Sequence, residues 1–126
     1  MTCFPPGPTM ENMHRIDSFG FGEISIDGRR YRRDLILFPD HIQPDWRRTD
    51  GHVLQLEDLE TVLDRPVEKI IIGTGVYGRM KVAPRVIRRL REDKISFEIL
   101  TTDRAVKSYR KTDSPAATVC ALHLTC

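Results

Sequence analysis

A chain of 126 residues, 40% apolar and 30% charged, has the composition of one ordinary globular domain, able to bury roughly two-thirds of the surface its unfolded form exposes; two domains sharing that length would each lack a core. Its 20 basic and 18 acidic residues leave a net charge of only +2, too weak a field to make nucleic acid a default partner. Apolar runs such as residues 35–38 and 70–72 fall far short of the roughly 20 residues that span a bilayer, and residues 1–8 lack the basic and apolar regions of a secretory signal, which makes the cytoplasm the expected location.

Residues 1–14 hold three prolines, one glycine and no apolar periodicity, which predicts a poorly ordered leader ahead of a single domain over 15–126. Ile16, Phe19, Phe21, Ile24 and Ile26 alternate with polar residues up to Asp27-Gly28, a strong hairpin signal. The returning strand is expected from Arg30 or Tyr31 to Phe38, its basic half exposed, its Leu35-Ile36-Leu37-Phe38 half in the core, with Pro39 as the stop. A long loop follows over residues 40–52. Leu56, Leu59, Val62 and Leu63 fit a short helix that Arg65-Pro66 ends. The β-branched stretch 67–72 suits an interior strand. A second helix is expected from Pro84, with Val86, Ile87 and Leu90 inward. Residues 95–100 read as the next strand, and Thr101 or Thr102 caps a third helix running to about Lys111. A last strand covers 116–124. Strands alternating with helices through right-handed crossovers predict an α/β domain with a mostly parallel central sheet, an opening β-hairpin and about three helices.

Gly73-Thr74-Gly75-Val76-Tyr77-Gly78 satisfies G-x-G-x-x-G after a strand, yet the helical pattern starts only near Pro84, too late for a dipole to face a pyrophosphate, so no dinucleotide cofactor is expected. Glycines at the carboxyl end of an interior strand do expose backbone N–H groups, and Arg79 adds charge; the loop therefore reads either as a small-anion cleft or as a tight turn in which glycine supplies positive φ. Trp46-Arg47-Arg48 has the composition of an interface hot spot, and equally that of a tryptophan packed on a sheet edge beside solvated arginines. His52 precedes a helix, and His14, His41 and His123 are scattered, so structural or solvated histidines are expected and no metal site. Cys3, Cys120 and Cys126 show no zinc spacing; Cys120 reads as a reduced core thiol, and Cys126 has no evident base. No Ser/His/Asp or Cys/His set is present, so no catalytic residue is assigned. The row Arg85, Arg88, Arg89 and Arg91 adjoins Glu92 and Asp93 and reads as a solvated helix face.

Taken together, Asp34-Leu35-Ile36-Leu37-Phe38-Pro39, Trp46-Arg47-Arg48 ahead of Gly51-His52, Ile71-Ile72-Gly73-Thr74-Gly75 and Ala121-Leu122-His123-Leu124 resemble a small α/β family. It includes the mitochondrial respiratory complex I assembly factor 3 and the adipogenesis-associated Mth938-domain proteins, and the resemblance covers about residues 15–126. It implies a three-layer α/β fold without established enzymatic activity; the eukaryotic relatives act through protein partners during assembly of a membrane complex, and by similarity this chain looks like a bacterial-type member with a partner-binding role, for which no cofactor is expected. Trp46, Gly51, His52, Gly73, Thr74 and Gly75 carry over as family-type positions. The chain departs from the family at Tyr109-Arg110, where relatives often place Asn after the tyrosine, and residues 1–14 lack the basic amphipathic pattern of a mitochondrial presequence. The expectation is a non-catalytic interaction or assembly-factor-like protein with a protein partner, its oligomeric state open. The alternative is a binding domain or enzyme with a cleft formed by Gly73 to Arg79 and Arg47 or Arg48.

Overall fold

The computed structural model describes residues 14–112 and 115–126; the expected leader, apart from His14, and Cys3 lie outside the described residues. The first three strands, β1 (Ile16–Gly20), β2 (Glu23–Ile26) and β3 (Arg29–Tyr31), form an antiparallel meander in the order β1-β2-β3. Its second turn is the Asp-Gly pair: Asp27 (φ 53°) and Gly28 (φ 81°) both take the left-handed conformation whose twist matches the flanking strands. Ile24 and Tyr31 pair on the inner face, while Ser25 and Arg30 pair on the outer one.

The single strand expected up to Phe38 is two strands in two sheets. β3 ends at Tyr31, and β4 (Leu35–Leu37) starts the central sheet. The break has a cause at Asp34, whose carbonyl accepts from the Trp46 N–H (2.7 Å) and whose carboxylate accepts from the Leu124 N–H (2.7 Å). Both groups are committed where a continuous ladder would have to pass. The expected loop over 40–52 contains β5 (Ile42–Gln43), folded back on β4, and leads to β6 (Val53–Leu54). The first helix is divided into a 3₁₀ turn, Leu56–Leu59, and one α turn, α1 (Glu60–Leu63). The Asp58 carboxylate accepts from the Gln55 N–H at 2.8 Å and closes its start.

The alternating half follows as β7 (Lys69–Gly73), β8 (Lys81–Val82, parallel to β6), α2 (Pro84–Glu92), β9 (Ser96–Leu100), α3 (Thr102–Arg110), a 3₁₀ turn Pro115–Ala117, and β10 (Thr118–Leu122). In the central sheet the order is β5-β4-β10-β7-β9. β10–β7 and β7–β9 are parallel, whereas β10–β4 and β4–β5 are antiparallel. The sheet is therefore mixed in equal parts, where the sequence order predicts mostly parallel pairing. Helical crossovers return the chain in the same direction for the parallel pairs, but the connection over 38–41 is far too short for a crossover and forces β5 antiparallel.

Successive residues of the sheet face opposite ways and build two cores. Ile36, Ile70, Ile72, Val119 and Ala121 meet Leu59, Val62, Val86 and Leu90 on one face. Leu35, Leu37, Ile71, Cys120 and Leu122 meet the meander's Ile24 and Ile26 and α3's Val106 and Tyr109 on the other. Layers thus cover both faces. Gly73, Leu100 and Leu122 lie level in the register, so the carboxyl ends of the three parallel strands open at one end of the molecule. No helix among the described residues is long and apolar enough to cross a membrane.

Candidate functional site

The four residues after β10 organise that end. The His123 N–H donates to Gly73 O (3.0 Å), and Leu124 O accepts from the Gly22 N–H of the β1–β2 turn (2.8 Å). Thr125 O accepts from the Val76 N–H (2.6 Å) and Cys126 O from the Arg79 N–H (2.9 Å). Two loops remote in sequence are thereby fastened to one segment. Gly75, at φ 108°, lies so close to it that a Cβ there would stand 2.2 Å from the Cys126 carbonyl carbon, which admits only glycine.

The glycine loop uses its own amides. Beyond Val76 and Arg79, the N–H groups of Thr74, Gly78 and Met80 donate to Leu100 O, Gly75 O and Thr74 O, and that of Gly75 donates to the Thr102 hydroxyl oxygen at 2.8 Å. The row of free N–H groups that an anion nest requires is engaged within the protein instead. Thr102 in turn donates to His123 O at 2.6 Å, so its buried hydroxyl joins the start of α3, the glycine loop and the exit of β10. The next helix after β7 is α2, starting at Pro84 as the sequence predicts.

Around His123 lies a buried polar clasp. Asp34 Oδ2 accepts from Arg48 Nη2 (2.8 Å) and from His123 Nδ1 (2.7 Å), while Oδ1 accepts from the Leu124 N–H (2.7 Å). The carboxylate fixes Nδ1 as the hydrogen-bearing nitrogen of His123. Burial pushes the Asp34 carboxyl up, but the hydrogen bonds from His123, the Leu124 amide and Arg48 outweigh it and hold the group below the usual carboxylate range. Arg48 also donates to Gly51 O (3.2 Å) and stacks its guanidinium 4.9 Å from the Trp46 ring, a contact that compensates for Nε and Nη1, which are buried without a hydrogen-bond partner among the described residues. His123 Nε2 is likewise buried and unpartnered.

Trp46, offered by the sequence as a surface aromatic or a packed one, is packed: it is 4% exposed, and its Nε1–H donates to Asp58 O at 3.0 Å. Arg47 stays outside, as do His52 and Arg79. His52 joins the site through its backbone, its carbonyl accepting from the Lys81 N–H (2.8 Å). The structure therefore brings Arg48, Gly73 and Gly75 against His123, with Trp46 stacked on Arg48, Thr74 between the two glycines, and Arg47 and Arg79 exposed. Arg33, Asp34, Asp45, Trp46, Arg47 and Arg48 line an open hollow of about 350 Å³. Cys120 is buried, and burial pushes its thiol well above the ordinary range, as a core thiol requires. Among the described residues no three His, Cys, Asp or Glu side chains stand together so as to hold a metal.

Sequence reasoning missed two features. Asp34 stands at the head of an apolar run and His123 interrupts one, and a polar residue in such a place signals a buried partner. Phe21 and Tyr77 are the exposed large apolar side chains among the described residues, at 58% and 68%. Their ring centroids are 6.2 Å apart with planes tilted by 47°. Each sits beside glycine at a turn tip, in Gly20-Phe21-Gly22 and Tyr77-Gly78, where the backbone lifts a side chain away from the core. The pair stands over the segment to which both turns are bonded.

Residues 16–123 match the family described as a protein of unknown function, DUF498/DUF598. Among solved structures, MT938 is 30% identical, covering 90% of this chain and 99% of its own with a TM-score of 0.73. An outer membrane protein from Bartonella henselae is 24% identical, with coverages of 91% and 98% and a TM-score of 0.75. A Mth938-like domain from Bordetella pertussis is 16% identical, with coverages of 98% and 92% and a TM-score of 0.66. For the last two the likeness is one of fold.

Proposed function

Because the chain belongs to the DUF498/DUF598 family of Mth938-like domains, we propose that residues 15–126 act as one non-catalytic, partner-binding domain, of the assembly-factor kind that the sequence resemblance implies. Its docking face is the end of the sheet where the Phe21 turn, the Trp46–Arg48 loop and the glycine loop meet. The observation that carries this reading is the exposed Phe21–Tyr77 pair, two aromatics on rigidly bonded turns with arginines at the rim. Aromatic and arginine side chains supply most of the energy at protein interfaces, and turns already fastened to the core lose little entropy on binding. Cytoplasmic placement belongs to the same proposal.

The clasp of Asp34, Arg48 and His123 serves as the foundation of this face. It locks Trp46 and the loop carrying Arg47 against β10, so that the rim is preorganised. A photo-crosslinking residue placed at Tyr77 in the living host is expected to give a discrete adduct that a probe at Glu92, at the other end of the sheet, does not give. Replacing Phe21 by Ser should weaken that adduct. Identical patterns from positions 77 and 92 would remove the basis for a docking face here.

A further inference from the structure

The charge around the aromatic pair is unbalanced in one direction. Arg32 lies beside Glu23, the residue that leaves the Phe21 turn, and Arg33 immediately precedes the clasp residue Asp34. Arg30, Arg32, Arg33 and Arg47 are all exposed, with Arg79 on the glycine loop exposed beyond them. Among the described residues, two carboxylates answer the first four of these guanidinium groups. Glu23 is shared by Arg30 (3.3 Å) and Arg32 (3.7 Å), and Asp45 by Arg33 (3.6 Å) and Arg47 (3.4 Å). Each acid is thus divided between two bases at long range, so that Glu23 and Asp45 neutralise only half the charge of the four arginines they meet. The clasp just beneath holds its arginine at 2.8 Å. The surface arginines are loosely held by comparison and free to turn outward.

Resting on the docking reading above, we propose that the partner presents an acidic protein segment, with carboxylates spaced about an apolar side chain that seats on Phe21 and Tyr77. Every cation on this rim is arginine, whose planar fork takes a carboxylate through two parallel hydrogen bonds. The two turns present rings in contact and tilted by 47° rather than a flat platform. That geometry accepts an aliphatic or aromatic side chain end-on and does not offer coplanar faces for stacking successive bases. Nor does it anchor in lipid: two partly exposed aromatics bury too little apolar area to hold a protein of net charge +2 at a bilayer, where stable attachment requires more than one strong signal. A short acidic segment needs only the local excess of positive charge, which the whole-molecule balance conceals.

The test uses fluorescence anisotropy with the full chain and three labelled peptides of equal length, alternating Leu with Glu, with Gln or with Lys. The Glu peptide is expected to bind saturably and at least about tenfold more tightly than the Gln peptide, with affinity falling as salt rises. The double variant Arg32→Glu/Arg47→Glu should lose about tenfold for the Glu peptide and gain affinity for the Lys peptide; Arg32→Gln/Arg47→Gln, which cannot introduce new repulsion, should show the loss without the gain. Equal binding of the Glu and Gln peptides, indifference to both double variants, or tighter binding to single-stranded DNA or to phosphatidylserine vesicles would overturn the proposal. If the adduct from Tyr77 persists while the Glu peptide fails, the face stands and its acidic partner falls; if both fail, both readings fall.

Discussion

At the scale of single residues, the clasp concentrates the chemistry. Three donors converge on one carboxylate at 2.7 to 2.8 Å in a place largely closed to water. Asp34→Ala would leave Arg48 buried without its counter-ion, and the expected cost is about 3–5 kcal/mol, read from urea unfolding at neutral pH. The sign of the pH effect follows from the depressed carboxyl of the folded state. A group that binds its proton less readily folded than unfolded adds stability above its unfolded value, about 3.9 for aspartate, and that stability is lost as pH falls through the lower folded value. The wild type should therefore lose stability below about pH 4 more steeply than Asp34→Ala. Little of this was legible in the sequence. Trp46 and Arg48 stood out by residue type, but which of the two neighbouring arginines turns inward depends on a carboxylate fourteen residues away. Only the placement of Asp34 at the head of one apolar run and of His123 inside another pointed that way.

At the scale of elements, the sequence was most readable where one signal sufficed. Asp27-Gly28 specified its turn by backbone conformation alone, and Pro84 set the start of α2. The division of the expected strand into β3 and β4 was not legible, because residues 30–38 carry suitable strand chemistry throughout and the break is imposed by bonds to Trp46 and Leu124. Thr102 shows how elements are joined here. Its hydroxyl accepts from the Gly75 N–H and donates to His123 O, connecting a helix start, a loop and a strand exit. Thr102→Val keeps the shape and removes both bonds, leaving a buried donor and a buried acceptor unpaired. The expected loss is about 2 kcal/mol, accompanied by faster hydrogen exchange at the Gly75 amide; unchanged protection there would show that the loop is held by its other contacts.

At the scale of the whole molecule, the α/β class and the parallel half of the sheet follow from alternating patterns, whereas the antiparallel pairing of β5 follows from a short connection that the pattern does not encode. The candidate face was half legible: the glycine loop and the Arg47 rim were identified, but Phe21 and Tyr77 were not, since exposure is a property of the assembled surface. Both rings stand clear of the cores, so Phe21→Ser and Tyr77→Ser should each change stability by less than about 0.5 kcal/mol in thermal unfolding, even where they abolish docking. The placement of β10 between β4 and β7 has a kinetic meaning. Leu37 pairs with Cys120 across most of the chain, so the first half of the sheet waits on the ribosome with one edge bare until residues 118–122 have been synthesised. Closure of so long a loop is slow, and the nascent protein should depend on chaperones that shield unpaired strands during that interval.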